Sequence, residues 1–126
     1  MNIPQNHQAV MPYLIVKGAD AFIDFLSAAF DATITSRHLR EGDEQVIMHA
    51  EANVNGSTVM FAEATGEFQP QNAGLFVYVD HADVSFEKAK TAGAKVVMEL
   101  SDQDYGRTCG VVDPVGNTWW ITSVNK

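Results

Sequence analysis

Residues 46–64, VIMHAEANVNGSTVMFAEA, decide how the rest of the chain is read. A two-residue type I′ turn needs positive φ at both central positions, and Asn55-Gly56 supplies that at little steric cost. The segment therefore reads as a β-hairpin. With the turn fixed there, Val54 pairs with Ser57, Glu51 with Met60 and His49 with Ala62. Alternation places Met48, Ala50, Ala52, Val54, Val59 and Phe61 on one face, all apolar and so expected against helices. Ile47, His49, Glu51, Asn53, Thr58, Met60 and Ala62 fall on the other, a mixed lining suited to a cleft with a few placed polar groups.

Upstream, MPYLIV (11–16) has the length and β-branched content of a strand, broken by Lys17-Gly18. ADAFIDFLSAAF (19–30) sets Phe22, Leu26, Ala29 and Phe30 at helical spacing, with Asp20 in the first turn. Ile34 to Leu39 reads as a further strand, closed by the polar turn Arg40-Glu41-Gly42-Asp43. Downstream, residues 64–73 hold Gly66 and Pro70 and read as a connection. A strand GLFVYVD, a helix over HADVSFEKAKTAG and a short strand KVVM follow. Two last strands, GVVD and TWWITSV, bracket the DPVGN turn.

The order β-α-β-β-β thus occurs twice. An offset of 63 matches Val16 with Val79, Ala19 with Ala82, Asp20 with Asp83 and Ala29 with Ala92. The expected fold is α+β, two βαβββ modules (11–64 and 74–124) within one domain (11–126), the halves packed on each other. Residues 1–10 show neither helical nor strand period and read as a loose arm. In the second half, parity gives Leu75, Val77 and Val79 to the helix side and Phe76 and Tyr78 to the other. Of the two tryptophans, Trp120 is expected on the open face.

Composition excludes several function classes. The chain has 126 residues, 46% hydrophobic and 19% charged, ordinary values for one globular domain. Its net charge of -8 repels a polyanion, which argues against nucleic acid as a partner. No apolar run approaches the roughly eighteen residues of a membrane span. Cys109 is the single cysteine, so neither an internal disulfide nor a multi-cysteine metal site is available. The first ten residues lack the basic and apolar regions of a secretion signal, and the expected location is the cytoplasm.

The segments MPYLIVKGADAFIDFLSAAF, IMHAEANVNGSTVMFAEA, VYVDHADVSFEKAKTAGAKVV, QDYG and DPVGNTWWI, taken in order, resemble the PhnB-like branch of the vicinal-oxygen-chelate superfamily. That superfamily groups glyoxalase, bleomycin-resistance proteins and extradiol dioxygenases. The resemblance implies an open, cupped sheet with helices outside, a ligand inside the cup and a homodimer. In its enzymes, His, Gln or Glu side chains hold a divalent metal. Laid on this chain, the four ligand positions fall at or near Pro12, Met60, Gly74 and Trp120, none of which offers the oxygen or imidazole donors such a metal takes. No metal and no cofactor are expected. Asn117 also departs from the branch, which often has histidine there.

The candidate ligand-binding residues are His49, Glu51, Met60, Phe76, Tyr78, Tyr105, Arg107 and Trp120. A carboxylate two residues from an imidazole on one strand face can clamp a ligand or act as a base pair, and equally forms a structural hydrogen bond. Trp120, Phe76 and Tyr78 offer an aromatic wall for a flat ligand, with core packing as the plain alternative. Tyr105 and Arg107, in the loop QDYGRTCG, are placed to close the cup's mouth. Cys109 reads as packing, and His7, His38 and His81 carry no assigned role. The functional expectation is metal-independent binding of a small molecule, planar or cationic, such as an antibiotic to be sequestered. The alternative is a lyase, isomerase or dioxygenase-type enzyme working through His49 and Glu51, and an interaction module with a vestigial cup is a third reading.

Overall fold

The computed structural model describes residues 1–124. The first module runs β1 (Tyr13–Val16), α1 (Ala19–Phe30), β2 (Thr33–Arg40), β3 (Asp43–Val54) and β4 (Ser57–Glu63). The second runs β5 (Gly74–Tyr78), α2 (Ala82–Thr91), β6 (Lys95–Gln103), β7 (Gly106–Val112) and β8 (Thr118–Ser123). Each module forms a four-stranded mixed sheet, ordered β1-β4-β3-β2 and β5-β8-β7-β6, whose outer pair β1/β4 or β5/β8 is parallel. A parallel partner needs a crossover, and α1 and α2 supply it. The expected α+β fold of two βαβββ modules is the fold observed.

The hairpin that anchors the sequence reading forms as expected, with φ of 49° at Asn55 and 94° at Gly56. Its register pairs Val54 with Ser57 and Glu51 with Met60. One part of the face assignment fails. At the far end of β3 the register against β2 slips, so that His38 pairs with His49 but Leu39 pairs with Ile47. Met48 becomes an extra residue that leaves the ladder and stands 56% exposed, while Ile47 turns into the core at 2%. A bulge inverts the parity of everything beyond it, and the hydrophobic pattern alone does not reveal it. β6 is also longer than KVVM, and the QDYGRTCG segment is a tight turn between paired strands instead of a loop.

The two modules cap their helices in the same place by different means. Glu63, the last residue of β4, accepts from the N–H groups of Gly18 (3.0 Å) and Ala19 (2.9 Å), placing a negative charge at the start of α1. Ser123, the last residue of β8, does the same for Ala82 N at 3.0 Å. Both helices pack on their own sheet and on each other, and a single core joins Phe22, Phe25, Leu26 and Phe30 of α1 to Phe86 of α2 and Trp119 of β8. The Phe30 and Trp119 rings meet at 4.9 Å.

On the other side the sheets are uncovered. Gln71, just before β5, bridges Ile15 of β1 in antiparallel sense, and Asn55 Nδ2 donates to Tyr78 O across the same seam. Gln8 and Pro12 line one cleft together with Phe76 and Tyr78. The β1 edge of the first sheet therefore lies along the β5 edge of the second.

Candidate functional site

On the open face of the first sheet, four side chains from three separate parts of the chain form one hydrogen-bonded line. His49 Nε2 lies 2.8 Å from Glu51 Oε2, the i, i+2 spacing of one strand face bringing them together. The second oxygen, Glu51 Oε1, is 2.7 Å from His7 Nε2. At the other end, Tyr13 Oη of β1 is 3.4 Å from His49 Nδ1. An ionised carboxylate only accepts, so both histidines present Nε2–H to Glu51, and His49 meets the Tyr13 hydroxyl through its other ring nitrogen, Nδ1. The imidazoles hold the Glu51 carboxyl below its ordinary range, His49 first and His7 second, against an opposing contribution from burial. Met60 is the direct cross-strand neighbour of Glu51.

His7 reaches this cluster because the N-terminal segment is seated. The side chain of Gln8 makes a two-point contact with the Thr58 backbone, Nε2 donating to its oxygen and Oε1 accepting from its N–H, and the Thr58 hydroxyl donates to Asn6 O. The arm thus continues the β1 edge along β4. Sequence reasoning left His7 without a role because its partner is 44 residues away. Tyr13 had a usable signal, the alternation with buried Leu14 and Val16 that puts it on the open face.

The second sheet carries an aromatic platform. Phe76, Tyr78, Tyr105 and Trp120 are 51%, 61%, 52% and 37% exposed, whereas Trp119 is buried. The rings of Phe76 and Tyr78 meet edge to face at 5.1 Å, and Tyr105 folds back from the β6–β7 turn to within 6.4 Å of Phe76. Trp120 neighbours Phe76 on one side and Gly110 on the other. Its ring lies so close over Gly110 that an added Cβ there would sit 2.4 Å from Cζ3. Thr108 and Thr122, on the same face by alternation, are buried and bonded to each other at 2.8 Å. Each hydroxyl of this buried pair therefore has a partner.

Arg107 does not join that face. Alternation along β7 puts it with Cys109 and Val111 on the helix side, where its guanidinium bonds Asp83 of α2 at 2.6 and 3.2 Å and Asp102 at 3.2 Å. That pairing raises the guanidinium further above its ordinary range and lowers the Asp83 carboxyl. Cys109 is fully buried, and burial pushes its thiol up to about 11, which suits packing and not nucleophilic attack. Asn117 is buried in the DPVGN turn, where its Oδ1 accepts from Ala73 N at 3.0 Å and ties the turn to the entry of β5.

The family's metal does not fit the residues present. The positions that the resemblance assigns to metal ligands hold Pro12, Met60, Gly74 and Trp120, and among the described residues no three His, Cys, Asp or Glu side chains are grouped to hold an ion. No described helix is long and apolar enough to cross a membrane.

Comparison with known proteins agrees with this architecture. Residues 5–121 match the family model described as Glyoxalase/Bleomycin resistance protein/Dioxygenase superfamily. The uncharacterized protein Rv0887c of Mycobacterium tuberculosis (strain ATCC 25618 / H37Rv) is 35% identical over 123 residues, covering 88% of this chain and 71% of that protein. Among solved structures, TioX from Micromonospora sp. ML1 is 26% identical, with a TM-score of 0.73 over 94% of this chain and 98% of TioX. TnmS3, an antibiotic binding protein from Streptomyces sp. CB03234, shares the fold at 15% identity, with a TM-score of 0.71 over 94% of this chain and 100% of its own.

Proposed function

This chain belongs to the glyoxalase/bleomycin resistance protein/dioxygenase superfamily, and we propose that it uses the fold to bind a planar organic molecule, without a metal ion, on the aromatic platform of the second sheet. The observation that carries this reading is the platform itself, four exposed rings on one face with Trp120 laid on Gly110. Monomeric proteins rarely expose apolar surface in this concentration unless something covers it. Planar cations are the favoured guests, because ring faces attract positive charge and the chain's net charge is -8. Glu51, whose oxygens accept from His7 and His49, keeps a carboxylate on the first sheet. Sequestration of an antibiotic or similar compound fits such a site, and TnmS3, alike in fold, is an antibiotic binding protein.

Titration with a planar acridine-type cation, followed by tryptophan fluorescence and calorimetry, tests the reading. Trp120→Ala is expected to weaken binding by up to about tenfold, the equivalent of roughly 0.5–1.5 kcal/mol for one aromatic contact. Equal affinity in both proteins, with the fold intact by circular dichroism, refutes the platform. The proposal includes a two-fold homodimer that covers part of the open faces. Light scattering is expected to give twice the 13.8 kDa chain mass.

A further inference from the structure

We propose that Asn55 is a deamidation site, and that its conversion to a carboxylate unfastens the two sheets from each other. The inference is independent of the platform, since neither its chemistry nor its test involves a bound guest.

Asn55 is the one asparagine in the chain followed by glycine. Both residues are exposed, and no atom lies within 4 Å of the place a Gly56 Cβ would occupy, so the Gly56 nitrogen is open to the neighbouring side-chain amide. Two hydrogen bonds restrain the reaction. Gly56 N–H donates to Asn53 Oδ1 at 3.0 Å, and Asn55 Nδ2 donates to Tyr78 O at 2.8 Å. The second bond is also the fastening. The peptide group it reaches uses its other end, Val79 N–H, to donate to Thr122 O of β8 at 2.9 Å. A turn of the first module is thus tied through one peptide group to an inner strand of the second sheet. Hydrogen bonds in such chains polarise one another, so losing the first weakens the second.

The reaction balances with water as its only co-reactant. Gly56 N attacks Asn55 Cγ, and the new C–N bond closes a five-membered succinimide. The Cγ–Nδ2 bond breaks, and ammonia leaves with the proton from Gly56 N. Water then opens the ring at Cγ to give aspartate, or at the main-chain carbonyl to give isoaspartate. Aspartate keeps the turn, because Asp-Gly also takes the type I′ conformation, but a carboxylate has no proton to give Tyr78 O. Isoaspartate lengthens the backbone of a two-residue turn and so disturbs the Val54–Ser57 pairing as well.

The surroundings also repel the product. Asn55 and Tyr78 line a cavity of about 500 Å³ together with Asp31 and Asp80. Its Lys88 is already bonded to Asp31 at 3.2 Å, which leaves His81 as the other basic group in the lining. The same two residues line a second cavity of about 330 Å³, so parting them widens both.

The site is tested on full-length protein held at pH 8 and followed by peptide mass spectrometry, with the guanidinium-unfolded chain as the clock. Folded wild-type protein is expected to convert at Asn55 before any other amide, more slowly than the unfolded chain. Asn53→Ala, which frees the Gly56 nitrogen, is expected to convert at least threefold faster than wild type. Asn55 still intact in both folded proteins when the unfolded chain is half converted overturns the site. The consequence is read separately by amide exchange in NMR. The Val79 N–H is expected to exchange at least fivefold faster in Asn55→Asp than in wild type, with the amides of Cys109 and Val111 unchanged. Asn55→Gly, which keeps the turn and loses the donor without gaining a charge, should show a rise as well. Val79 exchange as slow as in wild type in both folded variants overturns the unfastening.

Discussion

Replacing Gly110 with alanine tests whether Trp120 is seated on the sheet. An added Cβ would lie 2.4 Å from Trp120 Cζ3, 2.7 Å from Cε3 and 3.1 Å from Val97 Cγ2. Real carbon contacts begin near 3.4–4 Å, so the indole must lift by about 1 Å. Two effects oppose each other. Overpacking costs about 1–3 kcal/mol, at the low end here because Trp120 is partly exposed and can move outward. Loss of glycine's freedom in the unfolded chain returns about 0.4–1 kcal/mol, since Gly110 is not among the glycines with positive φ. The steric effect wins by about 0.5 kcal/mol, a fall in Tm of roughly 2 °C for a chain of this size. Calorimetric melting measures it, and tryptophan emission reports the moved ring, Trp119 being buried and serving as the unchanged reference. The sign should reverse in a Trp120→Ala background, where the obstacle is gone and Gly110→Ala should be neutral or stabilising by about 0.5 kcal/mol. A destabilisation of the same size in both backgrounds would refute the seating of the ring.

Glu51→Gln should destabilise the protein near neutral pH by about 1 kcal/mol. Because the folded Glu51 carboxyl is lowered, its contribution is present above the unfolded value near 4.5 and fades as pH falls through the folded value, so the gap to wild type should close in acid. Urea melts at pH 7 and pH 3 check this, and a gap that widens in acid contradicts the hydrogen-bonded line. Cys109 should resist a thiol reagent at pH 8 in the native protein and react once on unfolding in guanidinium; prompt native labelling would show that β7 is not packed as described.

Much of the fold lies in short-range chemistry. Asn55-Gly56 specifies a turn whose φ values only those residue types adopt readily, and the register from Val54–Ser57 to Glu51–Met60 follows by counting. Parity likewise separates Phe76 and Tyr78 from buried Val77, and Trp120 from Trp119, because side chains on a strand alternate whatever the sheet packs against. The donor chemistry of Pro12, Met60, Gly74 and Trp120 argues against the family's metal before any coordinate is known. Three features depended on tertiary structure, each for a physical reason. The bulge at Met48 inverts parity within β3, and it shows only in the pairing with β2. His7 meets Glu51 only because Gln8 and Thr58 seat the arm along β4, a contact over 44 residues that no local period encodes. Arg107 turns to the helix side because β7 alternation fixes its face and Asp83 at the start of α2 holds its charge there, whereas the sequence reading put it in a loop closing the cup's mouth.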